Sequence, residues 1–141
     1  MNPGFRMDRW LNGCACLIAL SAVLGAQQSS NFTGGKVSAV TDNSKPGIAH
    51  FHFDPGARTK WHSHEGGQII LVEEGVALTQ VKGGPVIELH AGDTIYAPPG
   101  VVHWHGAAPT QGGTQFNIAR GATTWGDEVT EPEYTARPQK K

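Results

Sequence analysis

The chain has 141 residues and a formal net charge of −1 at pH 7, with 19 glycines, 9 prolines and 16% charged side chains. This length predicts one domain. The balanced charge provides no basic surface of the kind that binds nucleic acid or an acidic membrane. Many glycines and prolines with few charges are typical of short strands joined by tight turns.

The first 26 residues have the composition of an export signal. Arg6 and Arg9 form a short positive region, and residues 11–26 are apolar and small, ending just before a polar segment. This pattern predicts a cleaved secretory signal peptide over residues 1–26, and therefore a periplasmic or secreted protein. A signal anchor that stays uncut is the alternative. After cleavage we expect no membrane association.

Both cysteines, Cys14 and Cys16, fall inside this predicted leader. The mature chain over residues 27–141 therefore has neither a disulfide nor thiolate chemistry. We expect it to form a single domain with a short C-terminal tail that begins near residue 125.

Hydrophobic alternation along the mature chain predicts an all-β fold. Residues 73–75, Glu-Glu-Gly, predict a hairpin-like turn between two of the strands. The predicted strands are 36–40, 48–53, 58–64, 68–72, 76–81, 86–89, 94–97, 101–105 and 114–119, the last of which closes the fold. Many short strands with frequent turns predict a small all-β barrel.

The tail contains one helix signal. Thr130, followed three residues later by Glu133, is a capping-box pattern that predicts a single helical turn. We expect Trp125 and Tyr134 to pack this tail on the barrel, and residues 138–141 to be loose.

Four of the seven histidines occur in two His-x-His steps, one at residues 62–64 and one at residues 103–105. Alternate side chains of a strand share a face, so each step directs two imidazoles the same way. Imidazoles that converge on one point suggest a transition metal, with two octahedral positions left open for water or substrate. The candidate ligands are His62, His64, Gln68 and His103. The alternative is that these histidines only make hydrogen bonds within the barrel.

Two further histidines lie on the predicted strand 48–53. His50 and His52 alternate with Ala49, Phe51 and Phe53. A half-buried strand explains this alternation, so we expect both histidines on the outer face, away from any metal.

The spacing around the His-x-His steps resembles the two sequence motifs of the cupin superfamily. The first motif is Gly56, His62, His64, Gln68 and Gly75; the second is Gly92, Pro98, Gly100 and His103. The resemblance implies a double-stranded β-helix, or jelly-roll, barrel that holds a divalent metal. Gln68 stands where the family usually has glutamate, and Ala107 where it has asparagine.

Further segments, among them residues 55–59 and 103–110, resemble the small bacterial manganese cupins that act as hydroxynitrile lyases. That resemblance implies a metal held by His62, His64, Gln68 and His103: manganese, with iron, nickel or zinc as alternatives. It places His105 in the cavity without binding metal, and Gln115 where the group has a further cavity histidine. The superfamily resemblance also implies a homodimer.

The resemblance supports a lyase that converts a small hydroxylated substrate, such as a cyanohydrin, to an aldehyde and cyanide. The candidate catalytic residues are His105 as general base or acid, Gln115 at the position of the further cavity histidine, and Thr59, which would orient the substrate. Ala49, Phe51, Phe53 and Phe116 are candidates for an apolar wall of the cavity. An oxidoreductase or dioxygenase with the same metal ligands is one alternative. A secreted cupin that binds a metal or a small ligand without catalysis is the other.

Overall fold

The computed structural model describes residues 31–41 and 46–141, and the predicted signal peptide lies outside the described residues. The described chain is mostly β-sheet. Its strands are β1 Phe32–Thr33, β2 Val37–Ala39, β3 Ile48–Phe53, β4 Arg58–Thr59, β5 His62–His64, β6 Gln68–Val81, β7 Val86–His90, β8 Thr94–Ala97, β9 His103–Ala107, β10 Gly113–Ala119, β11 Thr123–Trp125 and β12 Gln139–Lys140; its helix is α1 Glu131–Tyr134. Among these residues, none of the helical structure has the length and hydropathy that crossing a bilayer requires.

The sheet curves into a barrel because one long strand belongs to both of its halves. The first half of β6 pairs with β8 and β10, whereas its second half, from Val76 onward, pairs with β7 and β9. From there β10 continues through β3 to β2, and β9 continues to β4 and β5. This arrangement confirms the all-β jelly-roll barrel expected from the sequence.

Residues 73–75 lie inside β6, so the prediction of a hairpin turn there is wrong. The register between β6 and β10 slips between Thr114 and Gln115, which marks a bulge. A bulge bends a strand without reversing it, and this bend carries β6 from one half of the barrel to the other. Gly75 has a φ of 74°, and a Cβ there would lie 2.0 Å from the carbonyl oxygen of Gly112, so glycine is required.

The predicted strand 58–64 is two short strands, β4 and β5. Between them the backbone pairs elsewhere: the Lys60 N–H donates to the Asn31 carbonyl at 2.9 Å, and the Trp61 N–H donates to the Asp127 carbonyl at 3.0 Å. Both partners are distant in sequence, so local alternation does not reveal the interruption.

Two strands follow β10, which was expected to be the last. β11 pairs with β5, and β12 pairs in parallel with β7, where Gln139 is opposite Ile87. Residues 139–141 are therefore held by backbone pairing, and the prediction that residues 138–141 are loose is wrong for these three. A two-residue strand contributes too little alternation to be recognised without its partner.

The tail helix forms as predicted. The Thr130 hydroxyl accepts the Glu133 N–H, and the Glu133 carboxylate accepts the Thr130 N–H, which completes the capping box. Tyr134 is buried, and its hydroxyl donates to the Ala107 carbonyl at 2.9 Å. It joins a buried cluster that we call the outer core: Trp61, Leu78, Val86, Trp104, Val129 and Tyr134. Trp125 is not in this cluster, but its ring lies 4.8 Å from that of His62 on β5, so both residues pack the tail on the barrel as predicted.

Candidate metal centre

The two His-x-His steps meet on adjacent strands. β5 carries His62 and His64, β9 carries His103, and His62 is the cross-strand partner of His103. Residues paired in this way project to the same face of a sheet. All three side chains are buried, and one ring nitrogen of each lies within 4.8 Å of those of the others. Gln68, at the start of β6, is buried beside them.

Backbone and hydroxyl groups fix the orientation of each imidazole. The Nδ1–H of His62 donates to the Lys60 carbonyl at 2.9 Å, and that of His103 donates to the Val101 carbonyl at 3.0 Å. Each of these neutral rings therefore keeps its lone pair on Nε2. The Nδ1 of His64 lies 2.9 Å from the Thr123 hydroxyl oxygen; when Nδ1–H donates to that oxygen, Nε2 keeps the lone pair that a metal requires.

The three imidazoles are held neutral. Burial lowers the pKa of His62 to about 3, and the neighbouring His103 contributes to the shift. Burial also lowers the pKa values of His64 and His103 from the ordinary value. Neutral imidazole is the form that binds a metal, so the site is poised for one at neutral pH.

Two contacts fit a cation at the centre of this cluster. The Nε2 of His64 is buried and has no hydrogen-bond partner among the described residues. The Nε2 of His103 lies 2.7 Å from the Oε1 of Gln68, although both atoms are acceptors in the neutral site. Two ligand atoms about 2.1 Å from one metal and at right angles lie about 3 Å apart. A divalent cation would satisfy all of these lone pairs, so the residues fit the metal that the sequence predicts.

Gln68 sets the charge of this centre. Three imidazoles and one amide oxygen are neutral, so a divalent ion would keep its full charge, whereas a glutamate ligand would reduce it by one. A more positive centre stabilises anions and lowers the pKa of bound hydroxyl groups more strongly. An amide is a weaker ligand than a carboxylate, so the same exchange lowers the affinity for the metal.

A fourth histidine lies beside the cluster on the same face. The ring of His105 is 5.3 Å from that of His62, between centroids, and its Nδ1–H donates to Gln115 Oε1 at 2.8 Å. The Gln115 amide group in turn donates to the Gly106 carbonyl at 2.9 Å, which fixes which end of the amide faces the ring. Burial, followed by the nearby His62 and His103, holds the pKa of His105 well below its ordinary value.

Thr59 contacts the backbone of this histidine. Its hydroxyl oxygen accepts the backbone N–H of His105 at 3.1 Å. The structure thus brings together all three candidate catalytic residues, His105, Gln115 and Thr59, and the ring of His105 lies beside the histidine cluster.

Comparison with known proteins agrees with this geometry. The family model of the cupin domain matches residues 49–115. A solved structure of a cupin-like protein from Thermotoga maritima is 41% identical, with a TM-score of 0.60, over 73% of this chain and 84% of that one. The chain belongs to the cupin family.

Two other relatives extend the comparison. An (R)-mandelonitrile lyase from Granulicella tundricola is 44% identical to this cupin over 86 residues, which are 58% of this chain and 66% of that protein. The match therefore spans just under two thirds of that lyase. The polyketide cyclase RemF from Streptomyces resistomycificus shares the fold at 21% identity, with a TM-score of 0.54 over 74% of this chain and 78% of its own.

The remaining histidines of strand β3 lie outside the cupin's cavity, as predicted. His50 pairs with Glu73 and contacts the ring of Phe116, and the side chain of His52 is 45% exposed near Asp54. Phe116 is the cross-strand partner of His50, so it shares the outer face. Its expected place in the cavity wall is therefore wrong.

The inward positions of β10 belong to polar Gln115 and Asn117, both of which are buried. Phe53, by contrast, does contact the cavity, with its ring 5.8 Å from that of His105. Phe51 packs beside it, and the two rings are 6.3 Å apart.

Two residues of the site were missed because β11 was not predicted. Thr123 bonds to His64, and the Trp125 ring lies 4.8 Å from that of His62. The sequence Thr-Thr-Trp after Gly121 is rich in residues that favour strands. Alternation within it places Thr123 and Trp125 on one face, so this short segment contained the signal.

Proposed function

We propose that this cupin is a metal-dependent lyase that cleaves cyanohydrins to a carbonyl compound and hydrogen cyanide. The observation that carries the proposal is the neutral His105 imidazole, oriented by Gln115 and adjacent to a histidine cluster that fits a metal. The identity of 44% to a protein named (R)-mandelonitrile lyase supports this choice of reaction. His62, His64, Gln68 and His103 would hold the metal, for which we propose manganese.

His105 would move the proton of the reaction. Because its Nδ1–H is donated to Gln115, its Nε2 carries the lone pair, and no described residue bonds to that atom. Nε2 takes the proton of the substrate hydroxyl, and the carbon–oxygen bond becomes a carbonyl as the carbon–carbon bond to the nitrile breaks. The leaving cyanide keeps the electron pair of that bond and takes the proton from His105 as hydrogen cyanide, which restores the neutral base.

When bound, the metal supplies Lewis acidity that polarises the substrate oxygen. Gln68 leaves this charge undiminished, which favours a substrate whose oxygen becomes more negative as its proton is removed. Gln115 does not titrate, so a single base, His105, handles the proton in this chain. The Thr59 hydroxyl, which accepts the backbone N–H of His105, would orient the substrate.

The cavity wall favours a substrate with an apolar body. Phe53 lies against His105 and is fully buried, and it packs with Phe51 and partly buried Phe32. Aromatic side chains around a few polar groups are typical of small-molecule sites. We propose a small cyanohydrin with an apolar substituent as the substrate class.

We also propose that the protein is exported and acts as a homodimer. A row of exposed apolar side chains on the outside of the barrel supports a second copy of the chain as the partner. The row runs across four strands through the cross-strand partners Ile48, Ile118, Ile69 and Tyr96, which are 39% to 57% exposed. Light scattering of wild type and Ile69→Lys tests this: a dimer that the variant converts to a monomer is expected, and a monomeric wild type contradicts it.

The test of the function is cleavage of mandelonitrile by the manganese-loaded protein, followed by the absorbance of benzaldehyde. We expect turnover by the wild type and a loss of at least about a hundredfold in His105→Ala, as for removal of a general base. His90→Ala is the matched control, because His90 is 52% exposed and paired with Glu88 at the barrel surface. Absence of turnover in the wild type, or full turnover in His105→Ala with metal retained, contradicts the proposal.

A further inference from the structure

One register row crosses the candidate metal centre and continues beyond it on both sides. Trp125 on β11 is opposite His62 on β5, His62 is opposite His103 on β9, and His103 is opposite Val81 on β6. Cross-strand partners share a face, so the four side chains start from the same side of the sheet. We call this set of four residues the ligand row.

The two ends of the ligand row differ from its middle. His62 and His103 are each 2% exposed, whereas Trp125 is 39% exposed and Val81 is 45% exposed. A metal held by the middle residues would therefore have an open apolar side chain on each side. The neighbouring register row on the same sheet has no such exposed end at β6, because His105 and its partner Thr79 are both buried.

Trp125 has a defined position in this row. Its ring lies 4.8 Å from that of His62, between centroids, at an interplanar angle of 37°. This contact covers part of the indole and leaves the rest accessible. Backbone hydrogen bonds hold Trp125 in place: β11 pairs with β5, and the next residue, Gly126, donates its N–H to the Trp61 carbonyl at 2.7 Å.

We propose that Trp125 and Val81 form an apolar rim that binds the apolar substituent of the substrate and makes the site selective for aromatic over short aliphatic compounds. The inference rests on the proposed function for the choice of substrate. An accessible indole face stacks with another ring, and the branched Val81 side chain packs against apolar groups from the opposite end of the row. Both residues contact substrate and neither moves a proton, so they act on selectivity.

The experiment measures binding rather than turnover, with benzoate and acetate as probes for the manganese-loaded protein. The probes share a carboxylate and differ in the ring, so their affinity ratio, measured by calorimetry, reports the apolar contact. We expect Trp125→Ala to lower the benzoate preference about tenfold, Val81→Ser to lower it about threefold, and Trp125→Phe to restore most of it. Val40→Ala is the control, because Val40 is 48% exposed outside the ligand row.

An unchanged ratio in Trp125→Ala, with its manganese retained, overturns the inference. Trp125→Ala could lose manganese, because the Trp125 ring contacts His62. In that case Val81→Ser tests the inference, because Val81 does not pack on an imidazole ring. An unchanged affinity ratio in Val81→Ser overturns the inference as well. Failure of the proposed function has a different signature: the wild type prefers benzoate but does not cleave mandelonitrile.

Discussion

The two faces of strand β9 show how one segment supports both a site and a core. His103 and His105 face the cavity, whereas Trp104 between them faces the outer core under the tail helix. In the outer core the polar side-chain atoms have partners: the Trp104 Nε1–H donates to Gln80 Oε1 at 2.9 Å, and the Tyr134 hydroxyl donates to the Ala107 carbonyl at 2.9 Å.

The cavity face leaves lone pairs unmatched, at His64 Nε2 and between His103 and Gln68. Buried polar groups without partners lower stability, so they persist where something outside the chain satisfies them. We infer from this difference that the outer core stabilises the barrel, whereas the cavity face is the binding site. Substitutions on the two faces should therefore change different measured quantities.

The largest expected effect is on stability. Trp104→Ala should lower the free energy of unfolding of the metal-free protein by about 4 kcal/mol. The substitution leaves a large cavity and removes the donor that bonds to the side-chain oxygen of Gln80. Chemical denaturation measures this change, with exposed Val102→Ala as the control, for which we expect about 0.5 kcal/mol or less. Loss of metal affinity without loss of stability would show that the two faces are not separate.

The next effect concerns the metal. Thr123→Val removes the partner of His64 Nδ1 but keeps the shape of the side chain, so the orientation of this imidazole is no longer fixed. We expect manganese affinity to fall roughly tenfold to a hundredfold while unfolding of the metal-free protein changes little. Calorimetric titration gives the affinity, and Thr124→Val, on the opposite face of β11, is the control. Equal affinities for both variants would rule out this role of Thr123.

The pH dependence of the metal-free protein tests the neutral state of the cavity histidines. The pKa of His62 is about 3 in the folded chain, against 6.5 ordinarily, so the unfolded chain binds the proton first. The stabilising effect is present above pH 6.5 and is lost as pH falls from 6.5 towards 3, at about 1.4 kcal/mol per pH unit for each such histidine. Denaturation between pH 7 and pH 5 should show this slope, and it should be shallower in His62→Leu. A slope that this substitution leaves unchanged contradicts the assignment.

The smallest effect is at the tail helix. Thr130→Ala removes the capping box and should lower the free energy of unfolding by about 1 kcal/mol. Because α1 covers the outer core, the metal affinity should stay the same. Thr41→Ala, on an exposed residue far from the tail, serves as the control in the same denaturation experiment.

The sequence predicts the parts of the fold that local alternation specifies. β3 and β8 have the predicted bounds, and the alternation of His50 and His52 with Phe51 and Phe53 gives the correct outer face. The two-residue strand β12 exists because of a distant partner, so its own residues contain little evidence for it, whereas the residues of β11 favour a strand. The bulge at Glu73 resembles a turn in sequence, because Gly75 follows it closely and glycine is common in both bulges and turns.

His-x-His spacing on a strand directs both imidazoles to one face, which predicts the shared face of His62 and His64. The same spacing at His50 and His52 gives an outward pair, so the spacing alone does not select the cavity pairs. It does not predict which groups orient them, since the Lys60 and Val101 carbonyls are backbone atoms and Thr123 arrives on a separate strand. Phe116 was placed in the cavity by its hydrophobicity alone. The polar side chains of Gln115 and Asn117, which are buried, occupy the inward-facing positions of β10 instead.

The central claim is that the cavity face binds a single cation through histidine Nε2 atoms. Electron–nuclear double resonance of the manganese-loaded protein tests it most directly, because coupled imidazole nitrogens are detected individually. We predict three coupled histidine nitrogens in the wild type and two in His64→Ala. A manganese spectrum without histidine nitrogens, or one that His64→Ala leaves unchanged, would contradict the claim.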